Sequence, residues 1–284
     1  MRKSIFDIAA ERLDMNSDTD RLIALATTEK TLYDGYFQKS YTLFDYVDDC
    51  CFSRWRYRGR YINAKDFLNA LDFDNLVQMA RHNLEKHLTL IELIYNFWNL
   101  AYNELDKDPC PEGLTGDINF HHLKKVMDQI LEENNHVAVG NDDNDHFIVI
   151  EDKPEVTAVA EIMPTESLSF EVIKYNHRSL KGNIDLKRAI LVKLGAEIEP
   201  KRSNLRSINS HLESDIFTLL NNLNIRHNNC AVNDQKNYKE AVAAMTKEQL
   251  EKWYDELYQM ILLGFLLLDN VERSKKVAEL KSQI

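Results

Sequence analysis

An arginine and a histidine stand side by side in the segment LLNNLNIRHNN, which contains Arg226, His227, Asn228 and Asn229. Acid–base chemistry on a phosphate ester requires a base that takes a proton and a cation that stabilises charge on the phosphate. A histidine with an ordinary pKa near 6.5 suits the first role, and an arginine suits the second. We therefore take Arg226, His227 and Asn228 as candidate catalytic residues. A helix terminus capped by asparagines explains the same stretch without any chemistry.

The charge of the chain is unevenly distributed. The whole chain has a net charge of -11, but residues 174–206 contain 9 basic and 3 acidic side chains. A solvated basic helix face and a patch that faces a polyanion both fit this pattern. If the polyanion of the second interpretation is RNA, basic side chains and the side-chain amide of an asparagine bind its backbone. Base-specific recognition is not expected, because no aromatic stacking motif accompanies these residues. These candidate RNA-binding residues are Lys187, Arg188, Arg202, Arg206 and Asn229.

Helix geometry limits what these residues can do together. Adjacent side chains on a helix point about 100° apart, so Arg226 and His227 face one phosphate only if the helix frays there or a partner subunit completes the site. Two other pairs, Arg81 with His87 and Arg206 with His211, diverge by about 120° and about 140° on an unbroken helix. We interpret these two pairs as structural, unless a helix break lies within them.

Other chemistries have weaker support. The chain contains neither G-x-G-x-x-G nor G-x-x-x-x-G-K-[ST], and its four cysteines form neither a disulfide framework nor paired zinc knuckles. The run NDDND, near several histidines, fits a hairpin turn better than a site for a hard cation. Cys50 and Cys51 beside Arg54 fit packing better than an activated thiol. We therefore predict no metal and no cofactor.

The elements that position these residues are mostly helical. Apolar periodicity predicts helices over 74–105, 118–133, 183–199 and 203–224, and the capping box at Thr246 and Gln249 predicts a last long helix. The segments HVAVG, HFIVIED and EVTAVAEIM predict three short strands. The fold class is thus mostly α, with a helical domain (1–106), a linker (107–116), a small antiparallel α+β element (117–164) and a helical bundle (165–284).

The N-terminal residues and the apolar stretches bear on localisation. MRKSIFDIAAERLD lacks the apolar core of a signal peptide, and the longest apolar stretch, 260–268, is far shorter than the roughly 20 residues that cross a bilayer. We expect a cytoplasmic protein with no membrane partner.

The region from about 170 to 280 resembles a known family. Its segments KYNHRSLKGNIDLKRAILVKLGAEIEP and LLNNLNIRHNN, followed by a long closing helix, resemble the C-terminal region of abortive-infection phage-defence proteins of the HEPN superfamily. The resemblance implies a helical bundle that dimerises. In active members an arginine, four to six residues and a histidine form a metal-independent ribonuclease site before the last long helix.

The match of this motif is partial. Arg226 stands at the family's arginine position, but Ala231, Val232 and Asn233 stand where the histidine should follow. Either His227 acts from an altered position, or the site binds RNA without cleaving it. Two functions therefore stay open. The first is a homodimeric defence ribonuclease or RNA-binding effector, controlled by its N-terminal part or a protein regulator. The second is a non-catalytic module for protein–protein interaction.

Overall fold

The computed structural model describes residues 15–106, 113–141 and 143–284. The chain forms two compact units, Met1–Glu151 and Asp152–Ile284. Both consist mainly of helices, as expected for the mostly α class with a small antiparallel β-sheet. Among the described residues, we find no helix with the length and apolar character needed to span a membrane.

The first unit combines helices with two small sheets. Short non-α helical turns at 24–28, 47–51, 52–54 and 56–58 connect its first helices. The helices are α1 (Met15–Ile23), α2 (Leu43–Tyr46), α3 (Ala64–Ala70), α4 (Phe73–Ala80), α5 (Leu84–Leu105) and α6 (Ile118–Glu133). The strands are β1 (Leu32–Asp34), β2 (Lys39–Tyr41), β3 (Leu114–Gly116), β4 (His136–Gly140) and β5 (Phe147–Glu151).

Helix α5 is the centre of the first unit. Most of its side chains are buried, and Trp98 donates a hydrogen bond to the carbonyl of Phe120 on α6 at 2.9 Å. Strands β2, β1 and β3 form one antiparallel sheet in that order, and β4 pairs with β5 in a second. The sheet β2-β1-β3 lies in segments for which the sequence predicts helices or a linker. Three-residue strands carry too little period-two pattern to stand out in the sequence.

The second unit is a helical bundle. Its helices are α7 (Pro154–Glu161), α8 (Glu166–Lys174), α9 (Ile184–Ile198), α10 (Arg202–Ile208), α11 (Ser210–Asn222), α12 (Glu240–Ala243) and α13 (Lys247–Gln283). The predicted caps of two of them are present. Asn183 accepts a hydrogen bond from the Leu186 amide at 3.2 Å, and Thr246 and Gln249 form the capping box of α13. Gly264 lets α13 approach α9, because a β-carbon there would lie 3.0 Å from Ile198.

The predicted third strand is wrong. EVTAVAEIM lies largely in α7, which begins at Pro154 in the first helical position. Its buried residues Val156, Val159 and Ala160 follow the i, i+3, i+4 spacing of a helix. The β-branched residues suggested a strand, but proline at the start and burial of one helical face favour the helix.

Two helices predicted as continuous are broken. The first, over 74–105, is interrupted at 81–83, where Asn83 accepts a hydrogen bond from the Lys86 amide at 3.0 Å and caps α5. The second, over 203–224, is interrupted at Asn209, which caps α11 by accepting from the Leu212 amide at 3.0 Å. Asparagine competes well for a helix start, so each begins a new helix within an apolar pattern that continues.

The division into units differs from the limits drawn on the sequence. Helix α6 and strands β4 and β5 belong to the first unit, while α7 belongs to the second, so the segment 117–164 is divided between them. Of the expected linker 107–116, residues 114–116 form β3, which pairs with β1, and residues 107–112 lie outside the described residues. The N-terminal residues 1–14, used above for localisation, also lie outside them.

Candidate functional site

The turn with Arg226 and His227 follows α11 and is held by its own backbone and side chains. The Arg226 amide donates to the carbonyl of Leu220 at 3.1 Å, and Asn224 has a positive φ of 57°. Asn229 is 1% exposed, and its side-chain nitrogen Nδ2 donates to the backbone carbonyl of Asn237 at 2.7 Å. The Asn229 side-chain oxygen accepts from the Asn224 amide at 2.7 Å. The turn is thus a fixed structure and not a frayed helix end.

The Arg226 side chain is directed into the second unit. Its guanidinium donates to the carbonyl of Gly195, near the end of α9, at 2.9 Å and forms an ion pair with Glu199. It also lies 5.6 Å from the ring centre of Phe217, and the side chain is 21% exposed. A cation is favourable near a helix C-terminus, and the Gly195 carbonyl, which already accepts the Glu199 backbone amide, takes Arg226 as a second donor. Arg226 therefore stabilises the end of α9.

His227 and Asn228, in contrast to Arg226, lie at the surface. Both residues are exposed. The backbone carbonyl of His227 accepts a hydrogen bond from the Asn229 amide at 3.0 Å, which fixes the course of the turn. Because His227 is exposed, it is accessible to a substrate. The side-chain amide of Asn229 is buried and already forms hydrogen bonds with Asn237 and Asn224.

Two further arginines meet next to Arg226. Glu213 on α11 is buried, and its carboxylate accepts two hydrogen bonds from Arg206, at 2.9 and 3.0 Å, and a third from Arg202. The Arg202 guanidinium lies 4.2 Å from the ring centre of Phe217, which is on α11 together with Glu213. We call this group the arginine cluster. It consists of Arg202, Arg206, Arg226, Glu199, Glu213 and Phe217.

The electrostatics of the arginine cluster follow from these contacts. The hydrogen bonds from Arg206 and Arg202 lower the pKa of Glu213. The hydrogen bond between Arg206 and Glu213 also raises the pKa of Arg206. Both arginines keep exposed surface, 41% for Arg202 and 60% for Arg206. The cluster contains three guanidinium groups and two carboxylates, so it keeps one positive charge. It is able to attract a phosphate at its exposed side.

Lys187 and Arg188 are not members of this cluster. Lys187 is 7% exposed and pairs with Asp255 at 2.7 Å and Glu251 at 2.8 Å. Arg188 donates to the carbonyl of Ile225, one residue before Arg226, at 3.1 Å. The structure thus brings Arg202, Arg206 and Arg226 together and separates Lys187 from them. Arg188 supports the backbone of the turn.

The basic segment 174–206 is not a uniformly solvated face. Several of its cations form ion pairs inside the second unit, namely Lys187, Lys193, Lys201, Arg202 and Arg206. The sequence analysis missed the acidic partners Glu199 and Glu213. The signal that identifies Glu213 is an acid within the apolar stripe of α11, since a buried carboxylate requires partners.

The other sequence candidates are accounted for by packing. In the NDDND turn between β4 and β5, Asp143 and Asp145 pair with Arg56, and Asp142 lies outside the described residues. Within the part of the chain that the structure describes, no group of histidine, cysteine and acidic side chains has the geometry of a metal site. Burial raises the pKa of the Cys50 thiol, which disfavours the nucleophilic thiolate.

Both helix breaks fall inside an arginine–histidine pair of the sequence. The break at 81–83 separates Arg81 from His87, and the break at Asn209 separates Arg206 from His211. Arg81 pairs with Asp20 at 2.8 Å, whereas His87 is buried and shares a hydrogen bond with Thr19 at 3.0 Å. Arg206 is bound to Glu213, while His211 is exposed. In each pair the arginine is bound to a carboxylate, and the histidine is not part of that ion pair.

The chain was compared with models of known protein families, with curated proteins and with solved structures, and none of the three comparisons gives a match.

Proposed function

We propose that the second unit binds RNA and cleaves it without a metal ion, with His227 as the general base. The observation that carries this proposal is the exposed His227 ring on a fixed turn whose preceding residue, Arg226, belongs to the arginine cluster. Exposure makes the imidazole available, and the fixed turn keeps its position relative to the guanidinium groups. The resemblance to HEPN-type defence proteins gives the same substrate class.

The chemistry requires one base, one acid and positive charge. His227 takes the proton of a 2′-hydroxyl, the 2′-oxygen attacks the adjacent phosphorus, and the bond from phosphorus to the 5′-oxygen breaks. The products are a 2′,3′-cyclic phosphate and a 5′-hydroxyl end, whose proton comes from an acid or from water. Arg202 and Arg206, which keep exposed surface, bind a neighbouring phosphate of the RNA backbone, and Asn228 is an exposed hydrogen-bonding group of the turn.

A homodimer is part of this proposal. The Arg226 guanidinium contacts Gly195 and Glu199 in its own chain and is directed inward, whereas His227 is exposed. One copy therefore offers a base without an uncommitted arginine beside it, and a second copy is the simplest source of the missing cation. The role in abortive infection of phage-infected bacteria rests on the sequence resemblance. A protein regulator of the effector rests on the same resemblance.

The experiment compares single variants on a mixed pool of tRNA and mRNA with EDTA present. We expect His227→Ala to lower the cleavage rate by about 10²- to 10⁴-fold, the usual contribution of a general base. His211→Ala is the matched control, because His211 is also an exposed histidine of the second unit. Its rate should equal that of the unchanged protein. Circular dichroism confirms that each variant is folded.

Two results would overturn the ribonuclease proposal. One is RNA cleavage that survives in His227→Ala, and the other is cleavage that disappears in His211→Ala instead. A folded protein that binds RNA without cleaving it in any version would reduce the proposal to RNA binding at the arginine cluster. RNA binding is measured in the same samples by electrophoretic mobility.

The second candidate function is a non-catalytic module for protein–protein interaction. It is favoured by the structural use of Arg226 and Asn229, which hold α9 and the turn through contacts within the chain. In this case the RHNN segment is a helix-end structure. The same experiment separates the two functions, since an interaction module neither cleaves nor binds the RNA pool.

A further inference from the structure

The first unit contains an open groove with an apolar and an acidic part. It is a cleft of about 440 Å³ formed by α2, the turn that follows α2, and the helices α3 and α4. Its apolar lining consists of Phe44, Ala64, Leu68 and Phe73, which are partly or fully buried. The polar and charged residues that line it are Asp45, Asp48, Lys65, Asn69, Asp72 and Asp74. We call this cleft the acidic groove.

The charge of the acidic groove is not balanced by its own lining. Four carboxylates and one ammonium group leave a net charge of -3. The Asp48 carboxylate accepts the backbone amides of Ala64 at 2.5 Å and Lys65 at 3.2 Å. Among the residues that the structure describes, the carboxylates of Asp45 and Asp74 have no ion-pair or hydrogen-bond partner, and both residues are exposed. The groove therefore offers uncommitted negative charge beside an apolar surface.

The walls of the acidic groove are held by contacts within the first unit. The ring centre of Phe44 lies 5.4 Å from that of Phe73 and 5.0 Å from that of Phe97 on α5. The Thr42 hydroxyl caps α2 by accepting the Asp45 amide at 3.1 Å. Because these contacts exist without a partner, binding requires little ordering of the groove and costs little conformational entropy.

The end of α13 is an amphipathic helix whose apolar side is uncovered. All residues from 272 to 284 are exposed, and we call this segment the helix tail. Its large apolar residues Val277, Leu280 and Ile284 are each at least half exposed. Their spacing of i, i+3 and i+7 places them within about 60° of one another around a helix. This is the spacing of the anchors with which a helix binds an apolar groove.

Basic side chains flank the apolar stripe of the helix tail. The tail contains four basic and two acidic residues, which gives a net charge of +2. Arg273 and Lys275 pair with acidic side chains of the same helix. Lys276 and Lys281 have no such partner among the described residues. At about 100° per residue, each of these two lysines lies about 40° outside the stripe, on opposite sides of it.

We infer that the helix tail of one copy of this chain docks in the acidic groove of a second copy, and that two such contacts join the copies in a reciprocal dimer. The apolar stripe packs on the apolar lining, and Lys276 and Lys281 face the uncommitted carboxylates of Asp45 and Asp74. A second copy is the favoured occupant because both complementary surfaces occur on one chain. The reciprocal arrangement closes with two-fold symmetry and leaves neither surface open.

The inference goes beyond the ribonuclease proposal. It names a contact for the homodimer of the proposed function, and it rests on that proposal in this respect alone. The test contains no RNA, so its result is independent of cleavage at His227.

Sedimentation velocity over a series of protein concentrations measures the self-association. The groove variant is Asp45→Lys with Asp74→Lys, and the tail variant is Lys276→Glu with Lys281→Glu. Each variant places like charges across the contact, so each alone should weaken dimerisation by about tenfold or more. An equimolar mixture of the two variants pairs each reversed groove with a reversed tail and each original groove with an original tail. Dimers should therefore return in the mixture.

Matched controls reverse the same number of charges at exposed positions outside both surfaces. They are Glu132→Lys with Glu133→Lys on α6, and Lys247→Glu with Lys252→Glu near the start of α13. Both controls should dimerise like the unchanged protein. Circular dichroism confirms that every variant is folded.

Three outcomes would overturn the inference. An unchanged protein that stays monomeric at every concentration would leave the acidic groove to a basic helix of another protein or to the tail of its own chain. Dimers that persist in both folded variants would place the interface elsewhere, while the homodimer of the proposed function would stand. Dimers that are lost in each variant and do not return in the mixture would show that groove and tail are not partners of each other.

Discussion

Each unit contains an arginine and a histidine near a helix end, and the two units use them in opposite ways. In the first unit His87 is fully buried, and its Nδ1 shares a hydrogen bond with the Thr19 hydroxyl. Arg81 forms a surface ion pair with Asp20, and its side chain is 35% exposed. In the second unit Arg226 is the more buried residue, and His227 is exposed. The same two residue types thus exchange structural roles.

This difference shows that residue type and spacing do not determine availability for chemistry. A buried histidine whose neutral form is favoured contributes to packing, and an exposed one is accessible to a substrate. An arginine that satisfies helix-terminal carbonyls contributes to stability, and one in a surface pair contributes little. We therefore expect stability to depend on the histidine in the first unit and on the arginine in the second.

The largest expected effect is that of His87→Ala. Removing a buried ring leaves a cavity and an unpaired Thr19 hydroxyl, so the free energy of unfolding should fall by about 2–4 kcal/mol. Chemical denaturation followed by tryptophan fluorescence measures it, because the buried Trp55 and Trp98 report on the first unit. His227→Ala, the matched histidine, should change stability by no more than about 0.5 kcal/mol. Equal effects of the two variants would contradict the comparison.

The next effect is that of Arg226→Ala in the second unit. It leaves the Gly195 carbonyl and the Glu199 carboxylate without this partner, and we expect a loss of about 1–2 kcal/mol. Hydrogen–deuterium exchange of α9 measures the loss locally, as faster exchange near residues 195–198. Arg81→Ala, the matched arginine, should cost only about 0.2–1 kcal/mol, the usual range of an exposed ion pair. A larger cost for Arg81 would reverse the comparison.

The smallest effect is a pH dependence of the first unit. Burial lowers the pKa of His87, so the folded protein resists protonation that the unfolded chain accepts near pH 6.5. The unfolded state then binds more protons, and stability should decrease as pH falls below about 6.5, by at most about 1.4 kcal/mol per pH unit. His87→Gln should remove this part of the slope in denaturation curves between pH 7.5 and 5.5. An unchanged slope would assign the acid sensitivity to other groups.

Local signals in the sequence predicted several elements correctly. The capping residues Asn183 and Thr246 begin α9 and α13, because a cap needs only its own side chain and the first turn of the helix. The mostly α class with a small antiparallel sheet also follows from patterns within short windows.

The errors occurred where two local signals compete. Asn83 and Asn209 lie within apolar patterns that continue past them, and the periodicity outweighed the caps in the prediction. In EVTAVAEIM the β-branched residues outweighed Pro154, although burial follows a helical face. Only packing against neighbouring elements decides such cases, since propensity is a weak prior.

The sequence by itself determined the candidate residues, the net charge and the basic segment, because these depend on residue identity alone. Tertiary structure decided the direction of each side chain. In the folded chain Arg226 contacts Gly195 and Glu199, and the side-chain amide of Asn229 is hydrogen-bonded to Asn237. His227 is exposed. Tertiary structure also placed carboxylates distant in sequence, such as those of Asp45 and Asp74, at one groove. Charges and hydrogen bonds act over a few ångströms in space, and spacing along the chain does not measure those distances.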